Sequence, residues 1–255
     1  MKTLPAGRGF WIWHLSGCEG GQIAAIIAKA QKCGVTWLAI KAGDQGNPWS
    51  QFTPALVQAL HAAGLKVYGW SYDVPGKVSV QTAVVKRVAD CGADGFIIDA
   101  EIEWERPSAD KDAAAYISSL NGLSLPANFV LAHAPFDVIS GHAAFPYTAF
   151  GSGVSFVSPQ AYWPEHGMSE AASTARMLAQ WQKYATQKPQ AARPLLPSGY
   201  SVQPDLPGGK MPTAADMLAF EAHCKAAGCA GVLYWRWDGT PDAIWQGLAG
   251  TSFPV

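Results

Sequence analysis

The 255-residue chain is 49% hydrophobic and 15% charged, so it can bury a large core and a disordered chain is excluded. Its 18 basic and 19 acidic residues give a net charge of −1, which offers no basic surface for nucleic acid or anionic lipid. The N-terminal apolar stretch, residues 10–15, is too short for a signal peptide, and no run approaches the roughly 18 apolar residues of a membrane span. We therefore expect a soluble monomer, made in the cytosol, that binds a small or uncharged ligand and neither nucleic acid nor membrane.

Apolar runs and amphipathic stretches alternate along the whole chain. Eight runs have the character of buried strands, at residues 9–15, 36–41, 65–71, 95–101, 128–133, 154–161, 194–200 and 231–237. Helical patterns between them cover residues 23–32, 55–63, 80–89, 171–184 and 214–227. Residues 136–153 contain a proline and three glycines and show little helical period, so the fifth helix is expected to be short or replaced by a loop.

Glycines separate helix from strand at regular intervals. Gly34, Gly64, Gly92 and Gly122 are 30, 28 and 30 residues apart, which predicts helices that end in a left-handed C-cap and lead directly into a buried strand. Eight such units in about 250 residues favour a closed barrel of parallel strands over an open sheet. Residues 14–22, HLSGCEGGQ, carry no glycine-rich phosphate fingerprint, which disfavours a nucleotide-binding sheet. The predicted fold class is α/β, a single (β/α)8 TIM barrel formed by residues 1–255.

The five cysteines are predicted to be free thiols in the core, because their number is odd and Cys33, Cys91 and Cys224 lie at the ends of predicted helices. Cys224 and Cys229 lack the second Cys or His pair that a zinc site needs. His14 and His133 stand at strand ends without an H-x-H pattern, so they predict no metal site either. We expect neither a metal ion nor another cofactor.

In a (β/α)8 barrel the functional side chains lie at the carboxyl ends of the strands, where the loops that follow them converge. Polar and aromatic residues at these ends are therefore candidates for binding a substrate. The candidates are Asp44, Tyr72, His133, Gln160, Tyr162, Trp235 and Asp238.

The fourth predicted strand ends in an acidic run, DGFIIDAEIEWE at residues 94–105. Strand alternation places Asp99, Glu101 and Glu103 on one face, towards one pocket. Neighbouring carboxyls raise one another's pKa, so one can stay protonated near neutrality while the other is ionised, as general acid catalysis requires. We expect Asp99 and Glu101 to be the catalytic pair, with Glu103 as a rim residue that contacts substrate.

The segment DGFIIDAE, residues 94–101, resembles the fourth-strand motif of family 18 glycoside hydrolases, Asp-Gly-x-Asp-x-Asp-x-Glu. Asp94, Gly95, Asp99 and Glu101 match this motif, while Ile97 stands where the family usually has its middle aspartate. The segments SPQAYW at 158–163 and GVLYWRWD at 231–238 resemble the sixth and eighth strands of some chitinases.

The Asp-x-Glu pair also resembles the fourth strand of family 25 lysozymes, which cut peptidoglycan. Those enzymes carry an aspartate on their first strand, where this chain has Trp13 and His14. Both resemblances imply a barrel hydrolase that acts on polymers of N-acetylhexosamine, either peptidoglycan or a chitin-like chain. A cell-wall hydrolase without a signal peptide would suit a phage endolysin.

The resemblance also implies roles for individual residues. Glu101 protonates the leaving oxygen, and Asp99 orients and stabilises the 2-acetamido group of the substrate, whose carbonyl attacks the anomeric carbon. Tyr162 hydrogen-bonds the acetamido oxygen, and Trp235 forms the floor under the sugar. The alternative is a barrel that binds a glycan or a protein without catalysis, in which Ile97 marks the lost activity.

Overall fold

Residues 2–254, the part of the chain that the computed structural model describes, form eight parallel strands that alternate with eight α-helices. The strands are β1 (Gly7–Ile12), β2 (Val35–Asp44), β3 (Lys66–Tyr72), β4 (Gly95–Asp99), β5 (Val130–His133), β6 (Phe156–Val157), β7 (Ser198–Tyr200) and β8 (Gly231–Trp235). The helices are α1 (Ile23–Lys32), α2 (Pro54–Ala62), α3 (Val78–Asp90), α4 (Ala109–Asn121), α5 (Tyr147–Gly153), α6 (Glu170–Gln187), α7 (Ala214–Ala226) and α8 (Asp242–Leu248). A two-residue strand, Asn47–Pro48, pairs antiparallel with the end of β2.

The sheet closes on itself. Its strands neighbour one another in the order β6, β5, β4, β3, β2, β1, β8 and β7, all parallel. Between the two ends of this order the Leu196 N–H donates to the carbonyl of Val157 at 2.9 Å, and the Ser198 N–H donates to the carbonyl of Pro159 at 2.8 Å. The predicted (β/α)8 barrel is therefore confirmed.

Two layers of apolar side chains form the core. One fills the barrel interior and includes Trp37, Trp70 and Ile97, all 1% exposed or less. The other lies between the sheet and the helices. Gly9 permits the interior packing, because a Cβ at this position would lie 2.3 Å from the indole of Trp37. The bulky interior makes the barrel a packed core with its open end at the carboxyl ends of the strands.

The helix ends differ from the predicted pattern at one repeat. Gly34, Gly64 and Gly92 have φ angles of +61°, +82° and +86°, as expected of left-handed caps. Gly122 has φ −76° and continues the right-handed turn, with its N–H donating to the carbonyl of Ser118 at 3.1 Å. The prediction for Gly122 is wrong because α4 is followed by a longer connection, residues 122–129, rather than by an immediate strand.

The structure also bears on the fifth helix and on the cysteines. The fifth helix, α5, is short, with seven residues, as predicted. All five cysteines are buried and free. No helix within residues 2–254 combines the length and the apolar character needed to cross a membrane.

Candidate active site

A pocket of about 270 Å³ opens at the carboxyl ends of the strands. It is lined by four carboxyls, three of them buried or partly buried, by four aromatic rings and by one side-chain amide. The lining residues are Trp11, Asp99, Glu101, Gln160, Tyr162, Glu165, Tyr200, Asp205 and Trp235. Five of the ten predicted site residues, Asp99, Glu101, Gln160, Tyr162 and Trp235, thus meet in one place.

Larger cavities lie elsewhere on the surface. One of about 580 Å³ lies beside Leu196 and Ala230, towards the amino ends of β7 and β8, and one of about 540 Å³ lies beside the loop at residues 206–213. Neither is lined by Asp99 or Glu101. We therefore take the smaller pocket, where the carboxyls converge, as the candidate active site.

The side-chain amide of Gln160 joins the two carboxyls. Its Nε2 donates to Asp99 Oδ1 at 3.2 Å, to Glu101 Oε1 at 3.1 Å and to the carbonyl oxygen of Ala134 at 3.0 Å. A backbone carbonyl can only accept, so Ala134 determines which end of the Gln160 amide faces the carboxyls. The amide nitrogen has two hydrogens for three acceptors, so the carboxyls share its hydrogen-bonding capacity.

The backbone after β4 sets the positions of the acidic residues. The strand ends at Asp99, and residues 102–104 form a turn of 3₁₀-helix. Trp104 holds this turn in place, since its ring is fully buried and its Nε1–H donates to the carbonyl of Asp73 at 2.7 Å. The prediction that strand alternation continues to Glu103 is wrong, because the extended segment has ended before it.

Glu103 nevertheless lies at the rim of the barrel beside a second predicted residue. The hydroxyl of Tyr72 donates to Glu103 Oε2 at 2.5 Å, and the Glu103 side chain is exposed. Burial and this hydrogen bond raise the pKa of Tyr72, so the hydroxyl keeps its proton. Tyr72 and Glu103 thus form a polar pair outside the pocket lining.

Burial dominates the electrostatics of the carboxyl pair. Asp99 is only 7% exposed, and burial, reinforced by the charge of Glu101, raises its pKa well above the usual range. Burial also raises the pKa of Glu101, while the hydrogen bond from Gln160 opposes this shift. The ammonium of Lys41 lowers the pKa of both carboxyls. The pair therefore retains a shared proton at a pH where isolated carboxyls have lost theirs.

Aromatic rings form the walls of the pocket. The rings of Tyr162 and Tyr200 have their centroids 5.0 Å apart, and the partly exposed ring of Trp235 packs on Trp11 and Trp70 at 6.1 and 5.7 Å. Burial raises the pKa of Tyr162, so its hydroxyl remains a hydrogen-bond donor. Rings of this kind can stack on the apolar faces of a sugar.

Two further carboxylates, absent from the predicted site, come from loops. Glu165 Oε1 accepts from the Tyr200 hydroxyl at 2.6 Å and from the Asp205 N–H at 2.8 Å. Tyr200 stands at the end of β7, so its strand-end position is a signal that could have identified it. Glu165 and Asp205 had no such signal, because the shapes of their loops do not follow from hydrophobic periodicity.

Asp44 and Asp238 lie at strand ends but outside the pocket lining. Asp44 Oδ2 pairs with Lys41 Nζ at 2.7 Å. Asp238 accepts from the backbone N–H groups of Trp13 and His14 at 3.3 and 3.2 Å, and it pairs with Arg236 at 3.0 Å. Its side chain is only 4% exposed, so Asp238 connects β1 to the end of β8 rather than facing a ligand.

His133 does not line the pocket. It pairs in register with Ile98, whose side chain packs in the layer between sheet and helices, and its ring stacks on Phe150 of α5 at 5.4 Å. The side chain is 1% exposed, its ring nitrogens have no hydrogen-bond partner among residues 2–254, and burial lowers its pKa to about 3. The predicted substrate contact is corrected, because strand alternation turns His133 away from the barrel mouth.

Across residues 2–254, no three His, Cys, Asp or Glu side chains come together in a way that could hold a metal ion. No protein-family model matches the sequence, and no curated protein matches it either.

Several solved structures share the fold along almost the whole chain. Active domain 2 of a chitinase from Pyrococcus furiosus superposes with a TM-score of 0.71 at 11% identity, over 97% of this chain and 94% of that one. A chitinase from Chromobacterium violaceum ATCC 12472 gives a TM-score of 0.66 at 13% identity, over 96% and 98% of the two chains. The spore cortex-lytic enzyme SleL of Bacillus megaterium QM B1551 gives 0.64 at 12% identity, over 98% of this chain and 75% of that one. The predicted resemblance to barrels of the chitinase type is thus confirmed at the level of the fold.

Proposed function

We propose that this protein is a glycoside hydrolase that cleaves β-glycosidic bonds in an N-acetylhexosamine-containing polymer, either chitin-like or peptidoglycan. The observation that carries the proposal is the pair of carboxyls, Asp99 and Glu101, held by one amide nitrogen of Gln160 inside an aromatic-lined pocket. The fold that the chain shares with chitinases and with a cortex-lytic enzyme supports the same class of substrate. Fold alone hosts many activities, so the argument rests on the site.

Glu101 is the general acid of this proposal. It lines the pocket and is partly exposed, whereas Asp99 is nearly enclosed. A carboxyl whose pKa is raised by burial keeps its proton to higher pH than an exposed carboxyl does, and it can deliver that proton to the leaving glycosidic oxygen. The proton that the pair shares is the one transferred.

Asp99 and Tyr162 serve the substrate's own 2-acetamido group. The anionic form of Asp99 accepts the acetamido N–H and turns the carbonyl oxygen towards the anomeric carbon, while the Tyr162 hydroxyl donates to that oxygen. Attack by the carbonyl oxygen forms a cyclic intermediate as the glycosidic bond to the leaving group breaks. Trp235 supports the apolar face of the sugar.

The rim residues extend this binding surface. Tyr72, Glu103 and Asp44 lie on the side of β2 and β3, next to the carboxyl pair but outside the pocket lining. In the proposed complex they contact hydroxyl groups of sugars further along the polymer. His133 and Asp238 take no part, because one is enclosed behind the sheet and the other is bound to backbone and Arg236.

One observation favours a second candidate, a barrel that binds a glycan without cleaving it. Ile97 is fully buried in the barrel interior and in register with Trp70, so the position below Asp99 offers neither charge nor hydrogen bond. Without an acidic residue at position 97 to take part in proton transfer, the carboxyl pair would bind substrate but not turn it over. Activity measurements separate the two candidates.

The test measures the release of reducing ends from chitin oligosaccharides and from peptidoglycan. If Glu101 is the acid, Glu101→Gln lowers kcat by about 10²- to 10⁴-fold while substrate binding, measured by calorimetry, is retained. Glu105→Gln is the matched control, because Glu105 follows in the same loop and pairs with His142 away from the pocket. Binding by wild type without any release of reducing ends would favour the non-catalytic barrel, and full activity of Glu101→Gln would exclude Glu101 as the acid.

A further inference from the structure

Two tyrosines on one wall of the pocket offer a ligand opposite hydrogen-bonding polarity. Tyr162 and Tyr200 both line the pocket, and their ring centroids lie 5.0 Å apart. Tyr162 is the proposed donor to the acetamido oxygen, whereas Tyr200 donates to Glu165 Oε1 at 2.6 Å. A phenol has a single proton to give, so the Tyr200 oxygen has only lone pairs left for a ligand.

The barrel itself fixes the ring of Tyr200. This residue ends β7, is 4% exposed and pairs in register with Trp235 at the end of β8. Side chains in register on adjacent strands share one face of a sheet, and both of these line the pocket. The Tyr200 ring therefore stands beside the ring that is proposed to support the sugar.

Glu165 has a fixed place opposite the end of β7. Its Oε1 accepts from the Tyr200 hydroxyl and also from the backbone N–H of Asp205 at 2.8 Å. The turn that carries Glu165 is held by its own backbone, since the Glu165 N–H donates to the carbonyl of Tyr162 at 3.0 Å. One carboxylate thus connects the loop after β6 to the end of β7 and to the loop that follows it.

Glu165 determines where the hydroxyl proton of Tyr200 points. Packing of the ring does not settle this, because a hydroxyl rotates towards the acceptor that is present. Burial, together with the hydrogen bond to Glu165, raises the pKa of Tyr200, so the proton stays on the tyrosine. The hydroxyl is therefore the donor and Glu165 the acceptor.

We infer that Tyr200 is a substrate-binding residue whose phenolic oxygen accepts a hydrogen bond from a sugar hydroxyl group, and that Glu165 is the positioning residue that makes it an acceptor. Glu165 acts through Tyr200. With Tyr162 as donor and Tyr200 as acceptor, this wall selects a sugar that presents an acetamido carbonyl and a hydroxyl group on the same side. The inference rests on the proposed function, because it names further contacts of the sugar bound there.

The first test compares kcat and KM on chitin oligosaccharides for wild type and Tyr200→Phe. This variant keeps the ring and removes only the accepting oxygen, so KM should rise roughly 2- to 12-fold. The contact is made in the bound substrate and in the transition state alike, so kcat should stay close to the wild-type value. Tyr184→Phe is the matched control, because the Tyr184 hydroxyl contacts Thr148 away from this pocket.

A double-mutant cycle tests whether Glu165 acts through Tyr200. Glu165→Met leaves the Tyr200 hydroxyl without its acceptor, so KM should rise. The double variant should raise KM no further than the stronger single variant, because both changes remove the same contact. Glu165→Gln keeps a carbonyl oxygen as acceptor and should return KM towards the wild-type value.

Three results would overturn the inference: an unchanged KM in Tyr200→Phe, a loss of kcat without a change in KM, or effects that multiply in the double variant. If Glu165→Met does not fold, the KM of Tyr200→Phe decides the binding role alone.

Measurements without turnover separate this inference from the proposed hydrolysis. The affinity for the same oligosaccharides, measured by calorimetry, should fall roughly 2- to 12-fold in Tyr200→Phe even if wild type cleaves none of them. In that case the hydrolysis fails and the binding role stands. Cleavage by wild type together with an unchanged affinity in Tyr200→Phe would overturn the binding role and leave the hydrolysis in place.

A measurement without any ligand tests the positioning role directly. The Cζ NMR signal of Tyr200 depends on the hydrogen bond of its hydroxyl. It should move in Glu165→Met and return towards the wild-type position in Glu165→Gln. A signal that stays in place in Glu165→Met would overturn the role of Glu165.

Discussion

Replacing Gln160 by methionine removes the nitrogen that contacts both carboxyls of the candidate site. Gln160 Nε2 lies 3.2 Å from Asp99 Oδ1 and 3.1 Å from Glu101 Oε1. Methionine has a similar length and volume but donates no hydrogen bond, so Gln160→Met changes the chemistry of the bridge with little change in packing. The carbonyl of Ala134 also loses its donor.

The size of the effect follows from the charge of the pair. While the pair shares one proton, one of its carboxyls is ionised, so a single charge-assisted hydrogen bond is lost. Such bonds contribute about 1.5 to 3 kcal/mol, and 1.36 kcal/mol corresponds to a tenfold change. If the bond supports the reactive arrangement of the carboxyls, kcat should fall roughly 10- to 150-fold.

The pH profile of kcat provides an independent test, because the direction of its shift follows from the same hydrogen bond. The hydrogen bond from Gln160 lowers the pKa of Glu101, because it stabilises the ionised form. Its removal therefore raises that pKa, and the alkaline limb of kcat, where Glu101 loses its proton, should move to higher pH. The assay is reducing-end release from chitin oligosaccharides between acidic and alkaline pH. Gln182→Met, an exposed position on α6, is the control. A Gln160→Met variant with wild-type kcat and an unmoved alkaline limb would refute the reasoning.

Two further predictions concern the wall of the pocket and the enclosed histidine. Trp235→Ala removes a ring whose stacking on a sugar contributes about 0.5 to 1.5 kcal/mol beyond the area it buries. The KM for oligosaccharides should therefore rise roughly 2- to 12-fold. An unchanged KM in steady-state kinetics would contradict a stacking role. Burial lowers the pKa of His133 to about 3 in the folded protein, whereas a histidine in the unfolded chain has a pKa of about 6.5. Between these two pH values the unfolded chain binds a proton that the folded protein does not. The free energy of unfolding therefore falls as the pH falls through this range. His133→Leu should therefore reduce the stability lost between pH 7.5 and pH 4.5 by about 3 kcal/mol in urea unfolding. Equal losses in wild type and variant would show that His133 is not held neutral.

The architecture was predictable because its signal repeats. Eight buried runs alternate with helical stretches, and a glycine separates helix from run in four of the units, which leaves few alternatives to a closed parallel barrel. Gly122 shows the limit of this reasoning, since its spacing fits the repeat but its φ angle of −76° does not. Spacing along the chain cannot show how long the connection after a helix is.

Strand parity explains why predicted residues such as Asp99 line the pocket, and also why His133 does not. Asp99 lies on the inward face of a strand, as alternation requires, and it lines the pocket. His133 is also at a strand end, but it is paired with the outward-facing Ile98, which sends it to the helix layer. The sequence shows which residues of one strand share a face. Which of the two faces points into the barrel depends on the register between strands, which is a property of the folded sheet.

Charges that meet across strands explain why the electrostatics of the site could not be read from the acidic run alone. The run itself contains only carboxyls, which would repel one another and lose their charge on burial. The groups that oppose this come from elsewhere in the chain: Lys41 from β2 and Gln160 from the segment after β6. They come to the same end of the barrel because each belongs to or follows a strand only two positions from β4 in a parallel sheet, and parallel strands end at one mouth. Protonation of the pair therefore depends on groups from neighbouring strands, and Gln160→Met should move the alkaline limb of kcat although Gln160 lies far from Glu101 in sequence.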